Sequence, residues 1–334
     1  MLKTALLYTA SVEVFTITFQ AVAALLGIGV LGFWIIGRRH VPTNVLGILT
    51  SIAIDIAMPC LVLGNILTEF SPQTYPGWWQ LPLWWIGFTA VALALSLGAA
   101  YMVRKEIRGE FSISLFFQNA IFFPLLIITG LFANPGPYLI QLFLFIFLQP
   151  SLVFSVYPLF FRNKSAEPSP LVWKRIFNPV MIVTLIGLSI GLVEVSHYVP
   201  KFAVMILTML GAMSVPLFML ILGGNVYNDF VSDGKSVKKF HWADVIKFTL
   251  VKNVLFPLVF LGLLIWIKPA YNVAFLIILQ AAIPPITAIP IFTERSGGNR
   301  PLTSQMLVAS FVFSIISIPV MVYLFSLYFP FPTS

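Results

Sequence analysis

Ten stretches of the chain, at about 14–37, 46–68, 82–103, 111–132, 138–161, 178–196, 203–224, 245–267, 272–292 and 303–328, are almost unbroken apolar runs. A hydrocarbon core of about 30 Å takes roughly 20 residues of helix, because each backbone polar group must be satisfied within its own segment. The runs are too long and too uniformly apolar for the alternating strands of a membrane barrel. The pattern predicts an all-α integral membrane protein with ten transmembrane helices. Several runs contain proline, which a bundle tolerates where neighbouring helices take up the freed carbonyls.

The polar residues between the runs orient them. One set of alternate connections holds Arg38, Arg39, Arg104, Lys105, Arg108, Arg162, Lys164, Lys174, Arg175, Lys235, Lys238, Lys239, Lys247, Arg295 and Arg300. The other set holds Lys3, Lys201 and Lys268. Excess Lys and Arg mark the cytoplasmic face, so both termini are expected outside, as an even number of spans requires. Trp78, Trp79, Trp84 and Trp85 fit an outer aromatic belt.

Composition agrees. Of 334 residues, 59% are hydrophobic and 9% charged, which excludes an ordinary soluble enzyme, a disordered chain and a disulfide scaffold. The net charge of +8 belongs to the cytoplasmic connections and is no sign of a nucleic-acid partner. Cys60 is the only cysteine, so neither a disulfide nor a cysteine metal cluster can form within the chain. No cofactor is called for: the chain has no H-E-x-x-H, P-loop or dinucleotide fingerprint. Gly187-Leu188-Ser189-Ile190-Gly191 spells a hydrolase elbow, but within a membrane helix small residues four apart serve close packing instead.

The chain also repeats itself. Met58-Pro59 leading to Gly64-Asn65 is echoed by Val215-Pro216 leading to Gly223-Gly224-Asn225, 157 residues on from proline to proline. Gln118-Asn119-Ala120-Ile121-Phe122-Phe123-Pro124 is echoed by Gln280-Ala281-Ala282-Ile283-Pro284-Pro285, with 160 residues between Pro124 and Pro284. Five spans per repeat place the halves in the membrane in opposite senses. Inverted repeats with matched proline-broken helices are a mark of secondary transporters. The units are 1–161 and 178–334, joined by a charged, Pro- and Ser-containing cytoplasmic linker at 162–177.

In these residues the chain resembles the auxin efflux carrier family, carriers of small organic anions. The resemblance runs over the whole length. It rests on the Pro59 region, Asn178-Pro179-Val180-Met181-Ile182-Val183 into Ile186-Gly187-Leu188, Val215-Pro216-Leu217 into Gly223, Lys252 ahead of Pro257, Gln280 to Pro284, and Ile318-Pro319. It implies a scaffold from spans one, two, six and seven, a transport domain from spans three to five and eight to ten, and a homodimer. It also implies a substrate site at the crossover of spans four and nine. Asn119 would contact a substrate carboxylate there, with Gln280, Pro284 and Pro285 forming the ninth-span half.

Within the spans, Gln118, Asn119, Gln149, Gln280 and Thr287 are uncharged polar candidates for substrate binding, and Pro124, Pro284 and Pro285 are the candidate helix breaks. Groups of this kind also bond neighbouring helices. Asn65 and Asn225 sit near span ends, where capping is the simpler role. Asp55 and Lys252 are the two opposite charges at depth, each roughly 10–14 Å below the cytoplasmic end. They are candidates for a coupling or gating pair that makes and breaks during transport, with a proton as the co-substrate. The expected function is a non-enzymatic carrier that moves a small organic anion, a mono- or dicarboxylate, across the cell membrane by alternating access. Two alternatives stand beside it: a sodium-coupled symporter of larger organic anions, and a membrane sensor or interaction subunit.

Overall fold

The computed structural model describes residues 2–38, 45–161, 179–228 and 240–331. The linker at 162–177, its Asn163-Lys164-Ser165 sequon and Lys235, Lys238 and Lys239 lie outside the described residues. Helices account for nearly all of what is described. They are α1 (Leu2–Gly37), α2 (Val45–Glu69), α3 (Gln80–Met102), α4 (Arg108–Phe116), α5 (Phe122–Leu131), α6 (Gly136–Ile146) and α7 (Gln149–Val156). The second half holds α8 (Pro179–Leu192), α9 (Lys201–Tyr227), α10 (Trp242–Ile267), α11 (Tyr271–Ala282), α12 (Ile289–Arg295) and α13 (Arg300–Tyr328).

Six of these are long and apolar enough to cross a bilayer: α1 from Glu13, α2, α3, α9, α10 and α13. The remaining four apolar stretches appear as shorter pieces, and two are interrupted at or just ahead of the matched prolines. Between α4 and α5 the chain is extended at Phe117. Between α11 and α12 it is extended at Ile283, just ahead of Pro284-Pro285.

Two long helices absorb their prolines without breaking. In α2, residues Ala53–Ala57 widen into a π-turn just before Met58-Pro59. In α10, residues Val251–Leu255 do the same before Phe256-Pro257. Proline has no N–H and its ring collides with the carbonyl four residues earlier, and the wider turn relieves both. Pro319 lies inside α13, which runs on to Tyr328.

Close helix contacts are made by glycine. A Cβ on Gly223 of α9 would collide with the Gly29 carbonyl of α1, and one on Gly32 with the Leu220 carbonyl. Gly187 and Gly191 of α8 abut Ile66 of α2 and Phe70 just beyond its end. The Ser189 hydroxyl between them donates to the Leu185 carbonyl at 2.8 Å, as expected of a packing motif rather than a nucleophile. Charged contacts gather where the basic connections begin: Arg104 of the α3–α4 connection meets Asp244 of α10 at 3.1 Å, and Arg300 of α13 pairs with Glu294 of α12. One sequence expectation is corrected here: Trp85 is not in an outer belt but buried in the core. Glu110 is fully buried in α4.

Candidate functional site

The two interruptions meet. The Asn119 N–H donates to the Pro284 carbonyl at 2.9 Å, and the Ile286 N–H donates to the Phe117 carbonyl at 2.9 Å. Gln118 and Pro285 thereby face each other as an antiparallel bridge, the one such pairing among the described residues. Each arm is extended for a local reason. On the first, Pro124 is the third residue of α5, and a continuous helix would drive its ring into the Ala120 carbonyl. On the second, Pro284 and Pro285 each press the residue before them into extended geometry. The break expected at Pro124 therefore falls upstream of it, at 117–121, whereas Pro284 and Pro285 lie within theirs.

Extended backbone inside a bundle must find partners for its polar groups. Gln280, in the last turn of α11, donates its Nε2 to the Ala120 carbonyl at 2.9 Å. Gln149, the first residue of α7, donates its Nε2 to the Gln118 carbonyl at 3.0 Å. The structure brings Gln118, Asn119, Gln149 and Gln280 together at one crossing, and all four are buried. The two glutamines spend their donors on the crossing itself. Their Oε1 atoms and the Asn119 Nδ2 have no hydrogen-bond partner.

A cavity of about 180 Å³ lies beside the crossing. Asn119 and Phe122 form one wall, with Gln149 of α7 and Thr287 near them. Ile54 and Met58 of α2 and Phe218 and Asn225 of α9 form the wall opposite. The Phe122 and Phe218 rings pack 4.4 Å apart and join the two walls. No ionisable side chain is among the lining residues. Such a site offers apolar area and a few uncharged donors and acceptors, with the unpaired Asn119 amide beside the free N–H groups that begin α5. Thr287 and Asn225 also line a small neighbouring pocket whose lining includes Arg300, itself paired with Glu294. Asn225 is thus a cavity residue, where the sequence suggested a cap. Asn65 donates to the Leu61 carbonyl one turn back, at 2.7 Å.

The two charges at depth are set apart. Asp55 lies in the π-turn of α2 and is exposed on the outside of the molecule, flanked by lining residues but not lining the cavity. Lys252 lies in the π-turn of α10 and is wholly buried, its Nζ 3.3 Å from the Leu115 carbonyl. No ion pair joins them. Sequence reasoning also missed two buried polar groupings. The Glu110 carboxylate accepts the Asn299 N–H at 2.8 Å and ties α4 to the α12–α13 turn. Asn253 of α10 is locked to α13 by the Ser310 carbonyl at 3.1 Å and the Ser310 and Ser317 hydroxyls at 2.6 and 3.2 Å. A clue to the second lies in the serine run of α13, where Ser304, Ser310, Ser314 and Ser317 are all buried.

A family profile described as membrane transport protein matches residues 17–322. No curated protein matches the chain.

Proposed function

As a multi-pass membrane transporter belonging to the auxin efflux carrier family, the chain has a cargo site to be assigned, and we propose that it carries a small organic anion by alternating access. The observation that carries this reading is the crossing: two broken helices, paired at Asn119 and Pro284, beside a cavity whose one wall includes an unpaired amide donor. A carboxylate is held at the Asn119 Nδ2 and the first N–H groups of α5, where the helix dipole favours negative charge. The cargo's apolar body lies against Phe122, Phe218 and Ile54. With no cation lining the cavity, a single carboxylate is favoured over two, since each further charge would be buried without a partner.

The ten apolar stretches are read as ten spans in two inverted repeats. Helix packing supports this, because contacts recur five spans on: α1 on α9 as α8 on α2, α3 on α4 as α10 on α11, α3 on α6 as α10 on α13. The scaffold is α1, α2, α8 and α9, and the transport domain is α3–α7 with α10–α13. Cavity walls come from both groups, as a site at a sliding interface requires. The lining residues of α2 and α9 fall in the halves nearest the basic connections, so this state is read as open to the cytoplasm, with both termini outside.

The deciding experiment is uptake of radiolabelled mono- and dicarboxylates into proteoliposomes holding the purified chain, with and without a proton or sodium gradient. Facilitated flux of a monocarboxylate is expected, with about tenfold weaker apparent affinity in Asn119→Ala. No flux of any organic anion under any gradient would remove the reading.

A further inference from the structure

The group left unexplained by cargo binding is Lys252. Its side-chain nitrogen is wholly buried, no carboxylate among the described residues lies within ion-pair distance of it, and yet it is not adrift. Its Nζ reaches the Leu115 carbonyl at 3.3 Å and sits 4.7 Å from the centre of the Phe256 ring. Leu115 belongs to the last turn of α4, the helix that stops at the crossing. The last bond of that helix runs from the Phe117 N–H to the Ile113 carbonyl. Beyond it the chain turns extended and the Asn119 N–H goes to Pro284. No following helical N–H reaches the carbonyls of the final turn, and these form the negative end of the α4 dipole. Oxygen-lined negative ends of broken helices are places where transporters hold an exchangeable cation.

From this we infer that the Lys252 ammonium is a built-in cation of the crossing, occupying the place a sodium or potassium ion would otherwise fill. The inference rests on the carrier reading and says how that carrier does without an alkali co-ion. Two features preset the ammonium. The π-turn Val251–Leu255 turns Lys252 and Asn253 inward together, both of them fully buried. Asn253 is then pinned to Ser310 and Ser317 of α13, which holds the π-turn that carries Lys252 against that helix. Aromatic and carbonyl partners both select for a cation and neither for a neutral chain of the same length. Because α4 and α10 belong to the same proposed moving body, the charge stays with the crossing throughout the cycle. An exchangeable ion would have to bind and leave on each turn.

Two readouts on the purified full chain test this. The first needs no transport: melting temperature in choline, sodium, potassium or methylammonium chloride at equal ionic strength. Wild type and Lys252→Arg are expected to melt alike in all four. Lys252→Met is expected to melt several degrees lower in choline and to regain part of the loss in sodium, potassium or methylammonium. A Lys252→Met protein as stable as wild type in choline, or a loss that no small cation reverses, overturns the inference. So does a wild-type melting point that rises with sodium or potassium over choline, an arm that decides alone where Lys252→Met yields no folded protein. The second readout is wild-type uptake with choline replacing every alkali ion. Undiminished flux supports the built-in cation and a requirement for sodium or potassium overturns it. Cation-indifferent melting with no uptake of any anion defeats the carrier reading while leaving the cation assignment standing.

Discussion

Two amides at the crossing have the same chemistry and different work. Asn119 has its backbone N–H committed to Pro284, while its side-chain Nδ2 bonds nothing. Asn119→Ala therefore removes no internal bond of that donor. It is expected to weaken cargo binding about tenfold, the value of roughly one hydrogen bond to a charged group, with the melting temperature unchanged. Uptake titrations paired with thermal melts check both halves. Gln280 is the reverse case, because its Nε2 satisfies a buried carbonyl of the opposite arm. Gln280→Leu strands the Ala120 carbonyl and is expected to cost about 1–3 kcal/mol of stability, seen as a lower melting point before any change in affinity. Asp55 shows the limit of residue-level reasoning. Its charge and depth suggest a partner in Lys252, but it faces outward and lies on a different helix from the crossing. Asp55→Asn is expected to leave the pH profile of uptake in place, and a shifted profile would return it to the coupling machinery.

At the scale of elements, the prolines decide where helices yield and the glycines where they touch. Pro59 and Pro257 are accommodated by π-turns that keep α2 and α10 continuous. Pro284-Pro285 is not accommodated, because two consecutive residues without N–H groups leave no helical ladder to widen. Gly223 is a contact glycine, since a Cβ there would strike the Gly29 backbone. Gly262 of α10 has open space around its Cβ position. Gly223→Ala is expected to destabilise the chain by forcing α1 and α9 apart, and Gly262→Ala to be neutral or slightly stabilising through better helix propensity. Folded yield and melting temperature of the two alanine variants, measured side by side, separate them.

For the whole molecule the question is which side the cavity faces. Its walls come from α2, α8 and α9 on one hand and from the crossing with α7 and α12 on the other. Thr50 of α2 lies on it, with its hydroxyl bonded back to the Leu46 carbonyl at 2.7 Å. In a Cys60→Ser background, Thr50→Cys is expected to react with an impermeant maleimide in inside-out vesicles and to resist it in right-side-out ones. Saturating cargo should slow that labelling. Equal reaction from both sides would argue against a cavity open to the cytoplasm alone.

Much of this protein was legible in one dimension. Long apolar runs require helices because a bilayer supplies no hydrogen bonds, and charge asymmetry between connections gives an expected orientation. Asn119, Gln118, Gln149 and Gln280 could be picked out as polar groups within such runs, and Pro284-Pro285 as a break, since both signals are local. What each amide bonds is not local. Gln280 meets Ala120 from 160 positions away in the chain, and that pairing exists only once two helices break at the same depth. The same holds for the charges: hydropathy reports depth along a helix but not the face, so Asp55 and Lys252 looked like partners. Tertiary packing turned Asp55 outward and set Lys252 at the negative end of α4, a partner made of backbone, which no side-chain pattern can announce.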